Sequence, residues 1–178
     1  MMDTLSHYED IFNRCREIFL KKHSDYGSAW RILRPSSLTD QLLIKARRIR
    51  QIQEKGLNLV DEPIDADLIG IVNYSIMALI QLDKDLQGAI HISSDEVLEW
   101  YEKWKNMTRE LMLIKNHDYG EAWRDMRISS ITDMILMKLL RIKSIEENHG
   151  KTIISEGLEA NYQDIINYAV FALILLEN

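Results

Sequence analysis

The chain has 178 residues, 46% of them apolar, and a formal net charge of -6. That length suits one ordinary domain or two small ones, and the apolar share is enough for a buried core without disulfides. The acidic balance argues against non-specific binding to a nucleic-acid backbone, which needs a field of lysine and arginine on one face.

Taken in chain order, the opening MMDTLSHYED lacks the basic-then-apolar layout of a secretory signal. Leu5, Tyr8, Ile11, Phe12, Cys15, Ile18 and Phe19 then fall at helical spacing, and Ser6 with Glu9 can form a capping box, so a first helix is expected. Cys15 has no partner cysteine and sits in this apolar pattern, which predicts a buried thiol. Gly27 suits a left-handed turn, placing Asp25 and Tyr26 in a loop. Ser37 with Asp40 marks a second helix start, Leu42, Leu43, Ala46, Ile49 and Ile52 carry that helix, and Gly56 ends it. After a loop at 57–64, a third helix begins near Asp65 and is apolar almost all round from Leu68 to Leu82, the mark of the most buried element. This longest apolar run is short for a bilayer span, so a cytoplasmic protein with no membrane partner is expected.

The same plan then returns. KHSDYGSAWRILRPSSLTD, from Lys22 to Asp40, reappears as KNHDYGEAWRDMRISSITD from Lys115 to Asp133, and IVNYSIMALIQL from Ile71 reappears as IINYAVFALILL from Ile165. Helices are expected to start near Ser94, Ser130 and Glu159, with Gly150 ending the middle one as Gly56 does. The fold class is therefore all-α: two tandem three-helix repeats, residues 1–90 and 91–178, packed as one globular six-helix bundle. Three helices cannot easily cover one that is apolar all round, so the two third helices should meet about a pseudo-twofold axis. A homo-oligomer is compatible with this plan.

Each repeat gathers residue types that can bind a ligand. Asp25, Tyr26, Gly27, Trp30, Arg31 and Arg34 recur as Asp118, Tyr119, Gly120, Trp123, Arg124 and Arg127. Such a segment can stack a flat base on an aromatic ring while arginines hold phosphate and the carboxylate reads a sugar or base edge. It can equally be a capped helix junction plugged by a core tryptophan. Lys45 and Arg48 share a helix face and recur as Lys138 and Arg141, whereas Arg47 and Arg50 do not recur as the same residues. One cationic patch per copy follows, either a phosphate site or a solvated face. Asn73 and Asn167 lie in otherwise apolar sequence and must find partners, either across the pseudo-twofold or in a pocket. Asp164 precedes Asn167 by three residues, but copy one has Gly70 there, so the two sites need not be equivalent.

His23 and His117 do not occupy equivalent positions, no transition-metal spacing is present, and there is no glycine-rich phosphate loop. Mg²⁺ needs only one or two carboxylates plus ligand oxygens, which Asp25, Asp118, Asp65, Asp67, Glu159 and Asp164 could supply.

With DYGSAW and DYGEAW, the two K-x-x-R faces and the two I-x-NY segments, the sequence resembles the family called nucleotide modification associated domain 1 over nearly its whole length, twice. The resemblance implies a nucleotide-related ligand, since members are linked to systems that modify nucleotides or DNA bases. A more distant likeness is to the MazG-type all-α nucleoside triphosphate pyrophosphohydrolases, whose paired acidic motifs hold Mg²⁺. Here the middle helices carry K-x-x-R where those acidic pairs would stand, and only Asp164 matches the final aspartate.

The expected function is binding of a small-molecule nucleotide, with processing by a metal-dependent hydrolase mechanism as its extension. Asp25, Asp118 and Asp164 are the catalytic candidates. Tyr26, Trp30, Tyr119 and Trp123 would form base platforms, Asn73 and Asn167 would read a base edge, and Arg31, Arg34, Lys45, Arg48, Arg124, Arg127, Lys138 and Arg141 would hold phosphate. The alternative is an interaction or scaffold protein in which the repeated motif only knits helix ends together.

Overall fold

The structure, a computed structural model, describes residues 3–56 and 62–178. Its helices are α1 (Thr4–Tyr26), α2 (Pro35–Lys55), α3 (Ile64–Leu82), α4 (Ser94–Tyr119), α5 (Ile128–Glu147) and α6 (Leu158–Glu177). Short 3-10 turns at Ala29–Ile32 and Ala122–Asp125 join α1 to α2 and α4 to α5, and a third at Lys84–Leu86 follows α3. No strand occurs among the described residues. The protein is all-α and built of two three-helix repeats. Residues 57–61 of the expected loop at 57–64 lie outside the described residues.

Helix ends follow local chemistry and differ from the sequence pattern in places. Asp3, three residues before Ser6, caps α1 by accepting a bond from the Ser6 N–H at 2.7 Å, so the helix starts before the Ser6–Glu9 pair. Asp25 and Tyr26 are the last two residues of α1, not a loop. Gly27, at φ 65°, is the cap, and its N–H closes on the His23 carbonyl at 2.7 Å. Pro35 opens α2 where no N–H partner is required, two residues ahead of Ser37. Ser93 caps α4 by accepting from the Glu96 N–H. Past the end of α5, Gly150, at φ 81°, donates to the Ile145 carbonyl at 2.8 Å.

Helices α3 and α6 pack together at the centre, flanked by α2 and α5, with α1 and α4 each laid against both central helices. Leu68, Ile71, Val72, Ile76 and Leu79 of α3 meet Ile165, Ile166, Ala169 and Val170 of α6 in one core. By length and composition alone α3 could cross a membrane, but 56% of its apolar window is buried inside the bundle. Cys15 is buried, and burial pushes its thiol up to about 12.

Reciprocal bonds write the pseudo-twofold into the core. Tyr8 of copy one donates to Asn167 Oδ1 of copy two at 2.7 Å, and Tyr101 of copy two donates to Asn73 Oδ1 of copy one at 2.8 Å. Asn73 in turn donates to the Cys15 carbonyl, and Asn167 to that of Thr108. Glu9 pairs with Arg109 at 2.9 Å, and Glu102 pairs with Arg16. Thr39 donates to Glu146 Oε2 at 3.3 Å, while Gln53 donates to Thr132 at 3.0 Å. Apart from the two asparagine bonds to Cys15 and Thr108, which stay within a copy, each pair joins one copy to the other, so neither repeat completes its polar bonding alone.

Candidate functional site

A cleft opens where the end of the first helix of each repeat, the 3-10 turn and the third helix converge. In copy two it encloses about 320 Å³ and is lined by Met112, Lys115, Asn116 and Tyr119 of α4, by Ala122, Trp123 and Met126, and by Asp164, Asn167, Tyr168 and Phe171 of α6. In copy one the matching space forms two hollows of about 350 and 360 Å³ that share Phe19, Lys22, Tyr74 and Met77. Trp30, Tyr26 and His23 line one, while Lys45, Asp65, Gly70 and Asn73 line the other. A shallower hollow of about 900 Å³ lies between α5 and residues 151–156, and Arg141 lines it.

The predicted residues divide between the clefts and the surface. Tyr26, Trp30, Lys45 and Asn73 line the hollows of copy one, and Tyr119, Trp123, Asp164 and Asn167 line the cleft of copy two. Asp25 and Asp118 are exposed and stand outside these linings; Asp118 lies 3.2 Å from the His117 ring. Arg34 and Arg127 are exposed at the starts of α2 and α5. Arg31 reaches Gln81 Oε1 at 2.5 Å, the Ala89 carbonyl at 3.2 Å and the Leu86 carbonyl, tying its turn to the connection between copies. Arg124 binds Glu121 at 3.2 Å and the Thr4 hydroxyl at 2.7 Å.

The family model for nucleotide modification associated domain 1 matches residues 22–82 and 115–176. The chain belongs to this family, in two tandem copies. No curated protein and no solved structure matches it. Both matched segments begin at a cleft lysine, Lys22 or Lys115, and run through the third helix of their repeat. The stretch matched by nucleotide modification associated domain 1 thus supplies most of the cleft wall, with Ile18, Phe19 and Met112 added from just before it.

Within each family repeat the basic helix face meets an internal acid. In copy one, buried Asp67 is held by Arg48, with Lys45 Nζ 4.0 Å away and 5.5 Å from the centre of the Tyr74 ring. In copy two, buried Asp164 accepts from Lys138 at 2.9 Å and from Lys115 at 2.6 Å. Burial works against a charged Lys115, but the Asp164 bond outweighs it and holds the pKa above the ordinary lysine value. The aromatic residues differ too. Trp123 is 5% exposed, stacks on Phe171 with centroids 4.3 Å apart, and has Arg124 over its ring at 4.6 Å. Half-buried Trp30 packs against the core edge, with the Phe19 ring at a 60° tilt 6.2 Å away and Arg31 at 5.8 Å.

Several cleft residues escaped the sequence reading. Lys22 and Lys115 head the two copies of the repeat, so their recurrence alone could have marked them. Tyr74 and Tyr168 stand beside the asparagines and likewise recur. His23, which lacks an equivalent histidine in copy two, is buried beside the hollow of copy one, with no hydrogen-bond partner at Nδ1 among the described residues. Asp67 aligns with Asn161, and no periodicity announced that it would face Arg48.

Proposed function

We propose that this protein binds a nucleotide in the cleft of its family repeat, as a cytoplasmic component of nucleotide or base modification. The observation that carries the reading is the lining of the copy-one hollows. There a half-buried indole, the phenol rings of Tyr26 and Tyr74, the Asn73 amide and the ammonium groups of Lys22 and Lys45 surround adjoining spaces. Hollows of about 350 Å³ fall within the roughly 300–1,000 Å³ that small-molecule sites occupy. Rings that stack a base and lysines that neutralise phosphate are the two halves of nucleotide recognition.

Lys45 and Lys22 take the phosphate role in this proposal, while Arg31 and Arg124 stay with the internal bonds they make. Trp30 and Tyr26 offer the base platform. Mg²⁺ would arrive on the ligand's phosphates, where it needs few protein carboxylates. The bonds of Arg31 and Arg124 favour the second reading, a scaffold whose motif joins helix ends.

A thermal-shift series with nucleoside mono-, di- and triphosphates, ribo and deoxy, with and without Mg²⁺, separates the two. A ligand that binds only the folded chain raises Tm, by the equivalent of about 2.7 kcal/mol at a hundred times Kd. A selective rise supports nucleotide binding; no rise with any nucleotide hands the protein to the scaffold reading.

A further inference from the structure

Among the wall positions at which the two clefts differ, one puts a carboxylate in copy two alone. In copy two, the Asp164 carboxylate sits between Lys115 and Lys138, one oxygen on each, at 2.6 and 2.9 Å. In copy one the repeat supplies the same two lysines, Lys22 and Lys45, and Gly70 in place of Asp164. All three line one hollow. Lys45 leans across the bare glycine, so that a Cβ there would stand 2.8 Å from its Cε. Copy one does carry an acid on this helix face, but one turn earlier, at Asp67, where Arg48 holds it and Lys45 Nζ stands 4.0 Å off, at the limit of an ion pair. Copy one therefore keeps both cations of a carboxylate cage and lacks the carboxylate between them.

We propose that copy one is an oxyanion site, in which a phosphate group occupies the place over Gly70 between Lys22 and Lys45 that Asp164 fills in copy two. Copy two is closed to such anions by its own side chain. A phosphate oxygen pair offers two ammonium groups the same charge-assisted bonds as a carboxylate oxygen pair. The missing Cβ leaves space into which only the flexible end of Lys45 now folds, and a swing of that side chain admits the anion while keeping its ammonium group beside it. The inference rests on the nucleotide reading for what carries the phosphate, and on the geometry of the two lysine pairs for where it sits.

The test is calorimetric titration of the full chain with inorganic pyrophosphate and with each deoxynucleoside triphosphate. The variants are Gly70→Asp, which installs the carboxylate of copy two, Gly70→Asn, which adds the same bulk without charge, and Asp164→Gly, which empties the cage of copy two. The nearest neighbours of a Cβ at residue 70 are the Cδ, Cε and Nζ of Lys45, a flexible end that can swing aside. The wild type should bind one equivalent. Gly70→Asp should weaken binding by about tenfold or more, and Gly70→Asn by clearly less, because a carboxamide carries no charge to hold it between the two ammonium groups against the phosphate. Asp164→Gly should gain a second equivalent, and pyrophosphate should raise its lowered Tm.

Undiminished binding by Gly70→Asp, or equal loss in the Asp and Asn variants, overturns the oxyanion site. If nucleotides bind and Gly70→Asp does not matter, the site fails and the nucleotide reading stands. If pyrophosphate binds and Gly70→Asp abolishes it while no nucleotide binds, the site stands and the nucleotide reading fails. If neither probe binds, both fall.

Discussion

Tyr8, near the start of the chain, donates a 2.7 Å hydrogen bond to the side-chain oxygen of Asn167, near its end. The bond lies in the core, with Tyr8 fully buried, and its counterpart from Tyr101 to Asn73 repeats it across the pseudo-twofold. An asparagine among apolar residues is tolerable only because both ends of its amide are engaged, the oxygen by the other copy's tyrosine and the NH₂ by its own copy's first helix.

Tyr8→Phe keeps the ring and removes the donor, leaving the Asn167 oxygen buried without its tyrosine. The expected cost is about 1–3 kcal/mol, and Tyr101→Phe should cost about the same because its surroundings are equivalent. Urea unfolding of the two variants checks both values. A midpoint unmoved in either would show that the reciprocal bonds do not hold the copies together.

How far this was legible in the sequence depends on whether a residue's partner lies in its own repeat. The helices, their order and the tandem plan follow from apolar spacing and from a motif written twice. The asparagines were visible as polar residues needing partners. Of their partners, Tyr8 was assigned only to the apolar face of a helix and Tyr101 was not singled out, because no local rule links residues 159 or 28 positions apart. In the candidate site, Lys45, Lys138, Trp30 and Trp123 stood out through repetition, and the structure brings them to the clefts or, for Lys138, to the buried acid of one. What repetition hides is where the copies diverge. Asp67 and Asp164 sit one helical turn apart in the alignment, and only the packing of α2 on α3 and of α5 on α6 shows that each meets the same basic face.

Glu146 supplies a second test at the seam between α2 and α5. Burial raises its carboxyl above the ordinary value of 4.5, with the Thr39 bond pulling the other way. A native pKa above the unfolded one means that the group's stabilisation is present below about pH 4.5 and is lost as pH rises through the native value. At neutral pH the carboxylate is therefore a cost. Copy one has Gln53 at the matching position, bonded to Thr132. Glu146→Gln should raise Tm at about pH 7 by the equivalent of up to about 1 kcal/mol, a gain limited by partial solvent screening. The gain should vanish below about pH 4, where the wild-type carboxyl is also neutral. Melting curves of both proteins across that range decide it; equal Tm at every pH would remove the burial penalty from the account.

The two repeated tryptophans should answer differently to the same truncation. Trp123 is nearly enclosed, stacked flat on Phe171 with Arg124 over its ring, so Trp123→Ala opens a cavity and removes an aromatic pair. A loss of about 3–5 kcal/mol is expected, enough to threaten the fold of a protein of ordinary stability. Trp30 lines a hollow, has one ring edge-on beside it and keeps part of its surface in solvent. Trp30→Ala should cost about 1–2 kcal/mol and leave a folded chain. In the nucleotide reading that folded variant also loses affinity, by about 1–3 kcal/mol for one lost stacking partner. Urea unfolding gives the stability of each variant, and titration of Trp30→Ala with the nucleotide selected by thermal shift gives the second quantity. Full affinity in a stable Trp30→Ala protein would leave both tryptophans as packing residues and move the base platform to Tyr26 and Tyr74.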